Sequence, residues 1–579
     1  MAQYFSKLVF FSFAFVPVFL NLGGPHLWED EASTALLGKS ILAYGVPKPF
    51  DGLNRVSDTP DFREANESGI WTWNTWLPYY ATAFSFFLGE PDSFHARLPF
   101  AIAGFLCILS MPWVYRELKG SSGLQLLPSF LLVLSVPFLL HVRQCRYYSF
   151  AALFTLLSVW GYLRMLQEKK WGGALFVLSN VLLFHSFYIL LPVNLFCIGL
   201  HFLIRKIFFP DEIEKVREKE FYKNLLPALG IIVLCAFPFA LWAGYLSGNN
   251  SQDISFEKFF LFLKINALWI NFFLCPFLLA AVFAWTLEFR KLGAVLFFLS
   301  LVFGLSVHLE NSFAGLYLLP LAALGSLFYL MLGLFQKPFH FSGMGKWSLP
   351  LVYCLLYPLI FSLAAPFPFY RYLIPMVPLA ILPLSACLER LWEKQKGLAV
   401  IITTLWLGSN LLAWLPAVIF NPLFTERHEN AEIYTLVPYE SFHWTRLRFD
   451  LWDYAREITR PSMDLNGLIV RYLSEHGKPG DIIKASYEEL PLMFHTPFRV
   501  YNRFERGEEV PDWIILRTGY PFIRDAEYVN GLFKEYDFEA IGFLHKNVPW
   551  NDNRPDPLYH LFSPPLIQKP DPVIFKRTG

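Results

Sequence analysis

The chain has 579 residues, 55% of them hydrophobic and 16% charged, against roughly 25% charged in a soluble domain, which excludes an ordinary soluble globular protein. Its 48 Lys and Arg nearly balance 47 Asp and Glu, so no global field draws it to nucleic acid or to an anionic surface. Six of the seven cysteines fall inside apolar runs, and none forms a CxxC pair or a Cys/His metal spacing, so they read as apolar filler.

A membrane-crossing helix takes about 20 apolar residues. Stretches of that kind lie at roughly 8–22, 97–115, 124–142, 148–164, 171–187, 188–204, 224–247, 259–289, 292–307, 313–335, 346–366, 371–389 and 396–418, about thirteen in all. Lys7 precedes the first run as in a signal peptide, but Leu22-Gly23-Gly24-Pro25 lacks a small-residue cleavage pattern, so the run reads as a retained helix. Placing the N-terminus in the cytoplasm makes every inner loop basic: Arg116/Lys119, Arg164/Lys169/Lys170, Arg205 to Lys223, Arg290/Lys291, Lys337/Lys346 and Arg390/Lys394/Lys396.

That topology holds only if the apolar run 74–89 does not cross. At about 16 residues it is short for a span and reads as an interfacial helix. In the same outer loop, 23–96, Ala32, Ala35, Leu36, Leu37, Ile41 and Leu42 recur at helical spacing before Gly45 and Pro47, predicting a second interfacial helix over 30–44. Two such helices would roof a cavity. After 420 the composition turns polar. Helices at 467–476, 487–495 and 524–536 alternate with strands at 481–486, 499–502, 513–517 and 538–543, predicting a small, mostly parallel α/β domain over 421–579, outside the membrane and without a phosphate-binding glycine loop.

Charged groups at a membrane face are costly unless paired or wet. With this topology, Glu29-Asp30-Glu31, Arg143, Arg146, His185, His308 with Glu310, and Arg371 share one side. Asp30 and Glu31 read either as caps of the 30–44 helix or as carboxylates that take a proton from an acceptor hydroxyl. Arg143, Arg146 and Arg371 suit an anionic leaving group through bidentate phosphate contacts. Trp71, Trp73 and Trp76 read as an interfacial belt or as a surface for a sugar or isoprene units. His308 and Glu310 are two donors without a third, so no metal is called for.

The runs Trp28-Glu29-Asp30-Glu31-Ala32, Trp71-Thr72-Trp73-Asn74-Thr75-Trp76-Leu77-Pro78-Tyr79-Tyr80, Phe87-Leu88-Gly89-Glu90 and Ala96-Arg97-Leu98-Pro99-Phe100 resemble the N-terminal module of GT-C glycosyltransferases. The resemblance is to family 39 and its relatives, which include protein O-mannosyltransferases and the lipid A aminoarabinose transferase. Arg143-Gln144-Cys145-Arg146-Tyr147-Tyr148 resembles the family's QxRYY segment, and Arg371-Tyr372-Leu373-Ile374-Pro375 its RYLLP helix start. The resemblance covers roughly residues 1–205 and returns near 371. Two departures stand out: Ser33 where many relatives carry Arg, and His185-Ser186-Phe187-Tyr188 where relatives often show His-x-His-Tyr.

The resemblance implies a GT-C transmembrane module over 1–420 and a polyprenyl-phosphate sugar donor. It further implies an inverting transfer to an extracytoplasmic lipid, glycan or protein, in a bacterial inner membrane; the residues themselves require no cofactor and leave a divalent metal undetermined. Asp30 is the expected base or acceptor-orienting group, with Glu31 positioning it or a bound ion, and the resemblance carries the donor-phosphate role to Arg146 and Arg371, which the residue reading above extends to Arg143. Trp73, Tyr79, Tyr147, His185 and Tyr372 line the expected cavity. Two other classes stay open from the residues alone: a transporter or flippase for a polyprenyl-linked lipid, and a non-catalytic envelope assembly subunit.

Overall fold

The computed structural model describes residues 2–57, 59, 62–120, 124–210, 218–245, 255–274, 278–279, 281–282, 284, 293–297, 344–365, 368–412, 447–461, 464–505, 507, 509–517, 526–547, 560, 562 and 566–578. The expected spans at 292–307 and 313–335, the end of 259–289, the pair His308/Glu310 and the domain boundary at 420 lie outside these, wholly or mostly.

The helices in chain order are α1 (Ala2–Phe19), α2 (Glu29–Tyr44), α3 (Leu77–Leu88), α4 (Ser93–Lys119), α5 (Leu127–Val133), α6 (Val136–Val142), α7 (Tyr148–Leu166), α8 (Gly172–Ser186), α9 (Leu190–Phe208), α10 (Glu218–Trp242), α11 (Phe256–Leu274) and α12 (Met344–Ala364). A 3-10 helix (Tyr370–Met376) then leads into α13 (Val377–Lys394) and α14 (Lys396–Gly408). Among the described residues six helical segments are long and apolar enough to cross a membrane: Ser93–Lys119, Tyr148–Leu166, Leu190–Phe208, Glu220–Trp242, Gly345–Ala364 and Tyr370–Lys394.

Two expectations for the helices change. The run 124–142 is a broken pair rather than one span, because Pro137 cannot donate and its ring clashes with the carbonyl four residues back; α5 ends at that residue, Val133. Helix α2 is not a surface helix with one wet face. Eleven of its sixteen residues are buried, because α3 covers one side and a helix of the C-terminal unit another. Gly38 permits the close approach of α3, since a Cβ there would stand 2.9 Å from the Thr82 methyl carbon. Helix α3 is too short to cross. Its 12 residues extend only about 18 Å, and it leaves Phe84, Phe87 and Leu88 well exposed.

Polar clusters sit at the two ends of the bundle. At one end Glu117 pairs with Lys169 and with Arg164 (3.3 Å), and Glu389 accepts from Tyr115 (2.7 Å) and pairs with Lys119. At the other lie Arg97 and its partners, described below. The 22 residues of α4 that separate Arg97 from Lys119 correspond to about 33 Å at 1.5 Å per residue, close to the roughly 30 Å of a hydrocarbon core. Between the ends, Asn180, Ser158 and Asn194 bond to one another at 2.7–2.8 Å, and Tyr353 donates to Asn194. This network satisfies polar groups that lipid could not and ties α7, α8, α9 and α12 together.

The C-terminal unit contains α15 (Asp450–Thr459), α16 (Leu465–His476), α17 (Glu489–His495) and α18 (Ala526–Glu535) with strands β1 (Ile482–Ala485), β2 (Arg499–Tyr501), β3 (Trp513–Ile515), β4 (Phe538–His545) and β5 (Leu566–Arg577). The sheet order is β2-β1-β3-β5-β4. The pairs β1/β2 and β1/β3 are parallel, while β3/β5 and β4/β5 are antiparallel. The sheet is thus evenly mixed rather than mostly parallel, because β5, absent from the sequence-based expectation, inserts between β3 and β4.

This unit docks on the start of the loop between α1 and α4. The Leu27 N–H donates to His495 Nε2 (3.2 Å), and the His26 N–H to Asp464 (3.2 Å), which also caps α16 through the Gly467 N–H (2.7 Å). Asn54 and Val500 bond across the same junction at 2.7 Å, as do Asn502 and the Ser57 carbonyl at 2.9 Å. Burial, reinforced by His26 and Arg97, lowers the His495 pKa to about 3, and the His26 and Gly467 bonds hold Asp464 at about 2 against the opposing effect of its burial. Both folded values lie below the unfolded ones, so their stabilisation is present at neutral pH and lost on acidification. The His495 contribution fades as pH falls from about 6.5 towards 3, and that of Asp464 below about 4. Thermal midpoints measured from pH 8 to 4 should therefore stay level and then fall below about 6.5. His495→Gln, which keeps an acceptor for Leu27 but does not titrate, should flatten that fall.

Candidate active site

The site begins with three carboxylates in the first turn of α2. Glu29, Asp30 and Glu31 follow one another, so helical geometry turns each about 100° from the last and sends them to three different partners. The N-cap residue Trp28 makes no side-chain cap bond. Glu488 of the C-terminal unit instead accepts from the Glu29 N–H (3.1 Å), supplying the carboxylate that favours a helix N-terminus.

Glu31 points inward and is fully buried. Arg97, 3% exposed, grips it with a fork of Nε–Oε1 (2.8 Å) and Nη2–Oε2 (2.6 Å), and the Cys145 N–H donates to the same Oε1 (2.7 Å). The other Arg97 hydrogens go to the carbonyls of Leu22 (3.0 Å), Pro25 (2.7 Å) and His26 (3.1 Å). Glu31 therefore anchors α2 to α4 and to the loop before α7. Glu29 turns outward to Arg503 (2.8 Å), which also contacts Glu489 (3.2 Å).

Asp30 faces the bundle and is 22% exposed, in contact with Arg371 through Oδ2 and 3.6 Å from Arg146. Arg146 also donates to Thr34 (3.2 Å), one turn along α2. Arg371 lies in the first turn of the 3-10 helix before α13, over the Phe369 ring at 4.3 Å and the Tyr372 ring at 5.7 Å. A carboxylate and two guanidinium groups from residues 30, 146 and 371 thus converge at one end of the bundle.

The remaining expected residues divide. Tyr147, stacked on Phe187 at 4.4 Å, and Tyr372, stacked on Phe361 at 5.7 Å, are electrostatic neighbours of each other beside Arg371 and Arg146. Trp73 and Tyr79 belong to an apolar cluster with Leu37, Ile41, Trp71 and Ala83 between α2 and α3. His185 packs edge-on against Phe184 and Phe239. Arg143 is turned away from the cluster. Its Nη1 donates to the carbonyls of Pro17 (2.8 Å) and Val18 (3.3 Å), and its Nη2 to that of Asn21 (3.2 Å), closing the C-terminal end of α1, where a cation suits the helix dipole. This corrects its expected place at the donor phosphate: the α1 carbonyls hold the guanidinium. Among the described residues no group of three His, Cys, Asp or Glu converges as metal ligands.

Sequence reasoning gave no role to Arg97, although an arginine at the head of an apolar run, within the first turns of a spanning helix, signals a committed partner. Arg503 lies hundreds of residues from Glu29 and carried no such signal.

The structure is similar to ArnT from Cupriavidus metallidurans in the apo state, with a TM-score of 0.50 and 12% identity over 94% of this chain and 97% of that one. The chain has the GT-C fold. Also similar are ArnT of the same organism bound to undecaprenyl phosphate (TM-score 0.49, 12% identity, 98% of both chains) and the oligosaccharyltransferase AglB from Archaeoglobus fulgidus in complex with an inhibitory peptide and a dolichol-phosphate (TM-score 0.41, 11% identity, 86% of this chain and 65% of that one). No family model matches the sequence, and no curated protein matches it.

Because Glu31 and Arg97 are both buried, removing one leaves the other as an uncompensated charge. Arg97→Met should destabilise the protein by roughly 3–5 kcal/mol, read as a fall in the thermal midpoint. Exposed Arg390, paired only three residues along with Glu393 at 3.0 Å, should tolerate the same change within about 1 kcal/mol.

Proposed function

We propose that this protein transfers a sugar from a polyprenyl-phosphate carrier to an acceptor hydroxyl on the extracytoplasmic face of a bacterial inner membrane. The observation that carries this reading is the Asp30 carboxylate held by Arg371 and Arg146 at one end of the bundle. The basic loop ends gathered around Glu117 and Glu389 at the opposite end support a cytoplasmic position there, and hence an outer position for Asp30.

The chemistry follows from the charges. A donor phosphate entering between Arg146 and Arg371 competes for the cations that now neutralise Asp30, and binding it turns the carboxylate free towards the acceptor. The acceptor oxygen attacks the anomeric carbon as its proton passes to Asp30. The bond from that carbon to the phosphate oxygen breaks on the opposite side, which inverts the centre. The carrier leaves as a polyprenyl phosphate whose new charge the two arginines stabilise, an effect strengthened where water is scarce. Glu31 and Arg97 hold the base in place, and α3 and the C-terminal unit bound the acceptor side.

The test supplies purified full-length protein in detergent with a panel of polyprenyl-phosphate sugars and candidate acceptors, and follows free carrier by mass spectrometry. Wild type should release carrier from one donor. Asp30→Asn should retain donor binding and lose about 10²- to 10⁴-fold in turnover. Arg371→Ala should lose donor affinity as well as rate, by about 10²- to 10³-fold in kcat. Equal turnover in wild type and Asp30→Asn would remove Asp30 from the reaction. Failure to bind any polyprenyl donor favours an assembly role, and binding without turnover in any donor and acceptor pair favours transport.

A further inference from the structure

Tyr148 opens α7 beside the Asp30 cluster, and the reaction above does not use it. Its side chain is fully buried, yet its hydroxyl has no hydrogen-bond partner among the described residues. The ring is fixed on two sides, by His141 at 5.3 Å and by Tyr147 at 4.8 Å, both edge-on. Helix α7 packs against the 3-10 helix that carries Arg371, and the phenol interacts electrostatically with Arg371, Asp30 and Arg146.

Burying a hydroxyl without a partner is unfavourable, and packing does not require the oxygen, since phenylalanine offers the same ring. The oxygen therefore has a use where the phenol sits, among groups already matched to an anion. A phosphate monoester has several acceptor oxygens. Arg143, the third arginine of this region, is committed to the carbonyls of α1, so Arg146 and Arg371 alone leave acceptor capacity over. A neutral donor fills it without adding a third positive charge beside two guanidinium groups.

We propose that the Tyr148 hydroxyl donates a hydrogen bond to a non-bridging oxygen of a polyprenyl phosphate held between Arg146 and Arg371. The proposal rests on the donor class inferred above and adds a contact to it. Tyr148 is then a phosphate-binding residue.

Tyr148→Phe, made in the full-length protein, tests this by two measurements: the thermal midpoint without ligand, and the dissociation constant for undecaprenyl phosphate in detergent. The midpoint should hold or rise, because only an unpartnered hydroxyl is removed. Affinity should fall about 10- to 100-fold, the value of one hydrogen bond to a charged group. Unchanged affinity in Tyr148→Phe while Arg371→Ala loses binding overturns the Tyr148 contact and leaves the donor class standing. A fall in the midpoint overturns it too, because the hydroxyl then has a partner within the protein. If wild type itself does not bind undecaprenyl phosphate, the donor class and this contact fall together.

Discussion

The arrangement of this whole end of the bundle depends on one turn of helix in which three consecutive carboxylates each meet arginine from a different part of the chain. Glu31 is held by Arg97 of α4, Asp30 by Arg146 and Arg371, and Glu29 by Arg503 of the C-terminal unit. Three adjacent negative charges would repel one another on a bare helix. Here the 100° step between residues separates them, and the helix N-terminus favours all three. The same turn thus joins the membrane bundle, the loop between α1 and α4 and the C-terminal unit, with Asp30 at the meeting point.

Burial grades the three pairs. Arg97 and Glu31 are almost wholly sealed, and Arg97 is saturated by three carbonyls besides its carboxylate, which makes the pair an anchor rather than a reagent. Asp30, Arg146 and Arg371 keep 15–22% of their side-chain surface, so a ligand can enter the pairing. A site that must bind an anion benefits from cations that are charged and oriented before it arrives, and the Asp30 pairing keeps them so. The rigid anchor next to the accessible pair fixes the position of Asp30 without occupying it.

Much of this was legible in the chain. Apolar run lengths located most of the described helices, and Gly45, in a left-handed conformation with φ of 76°, ends α2 where the sequence stops the helical pattern. The acidic pair Asp30/Glu31 and the arginines at 146 and 371 were readable because charge beside a membrane is rare enough to stand out. Local signals failed where a distant segment changed the environment of an element. Helix α2 carries the spacing of an interfacial helix, but α17 and α3 bury it. Strand β5 has Pro570 and Pro572 within it, so it does not read as a strand until β3 and β4 pair with it.

The sequence by itself determined that this is a helical membrane protein with a polar C-terminal unit, because hydrophobic run length and charge placement are local properties that the bilayer reads directly. It also supplied the charges of the site. Only the tertiary structure decided which charges meet. Arg143 and Arg146 are three residues apart and chemically alike, yet one closes the end of α1 and the other faces Asp30. That choice depends on where the helix ends stand in space, which no spacing along the chain encodes.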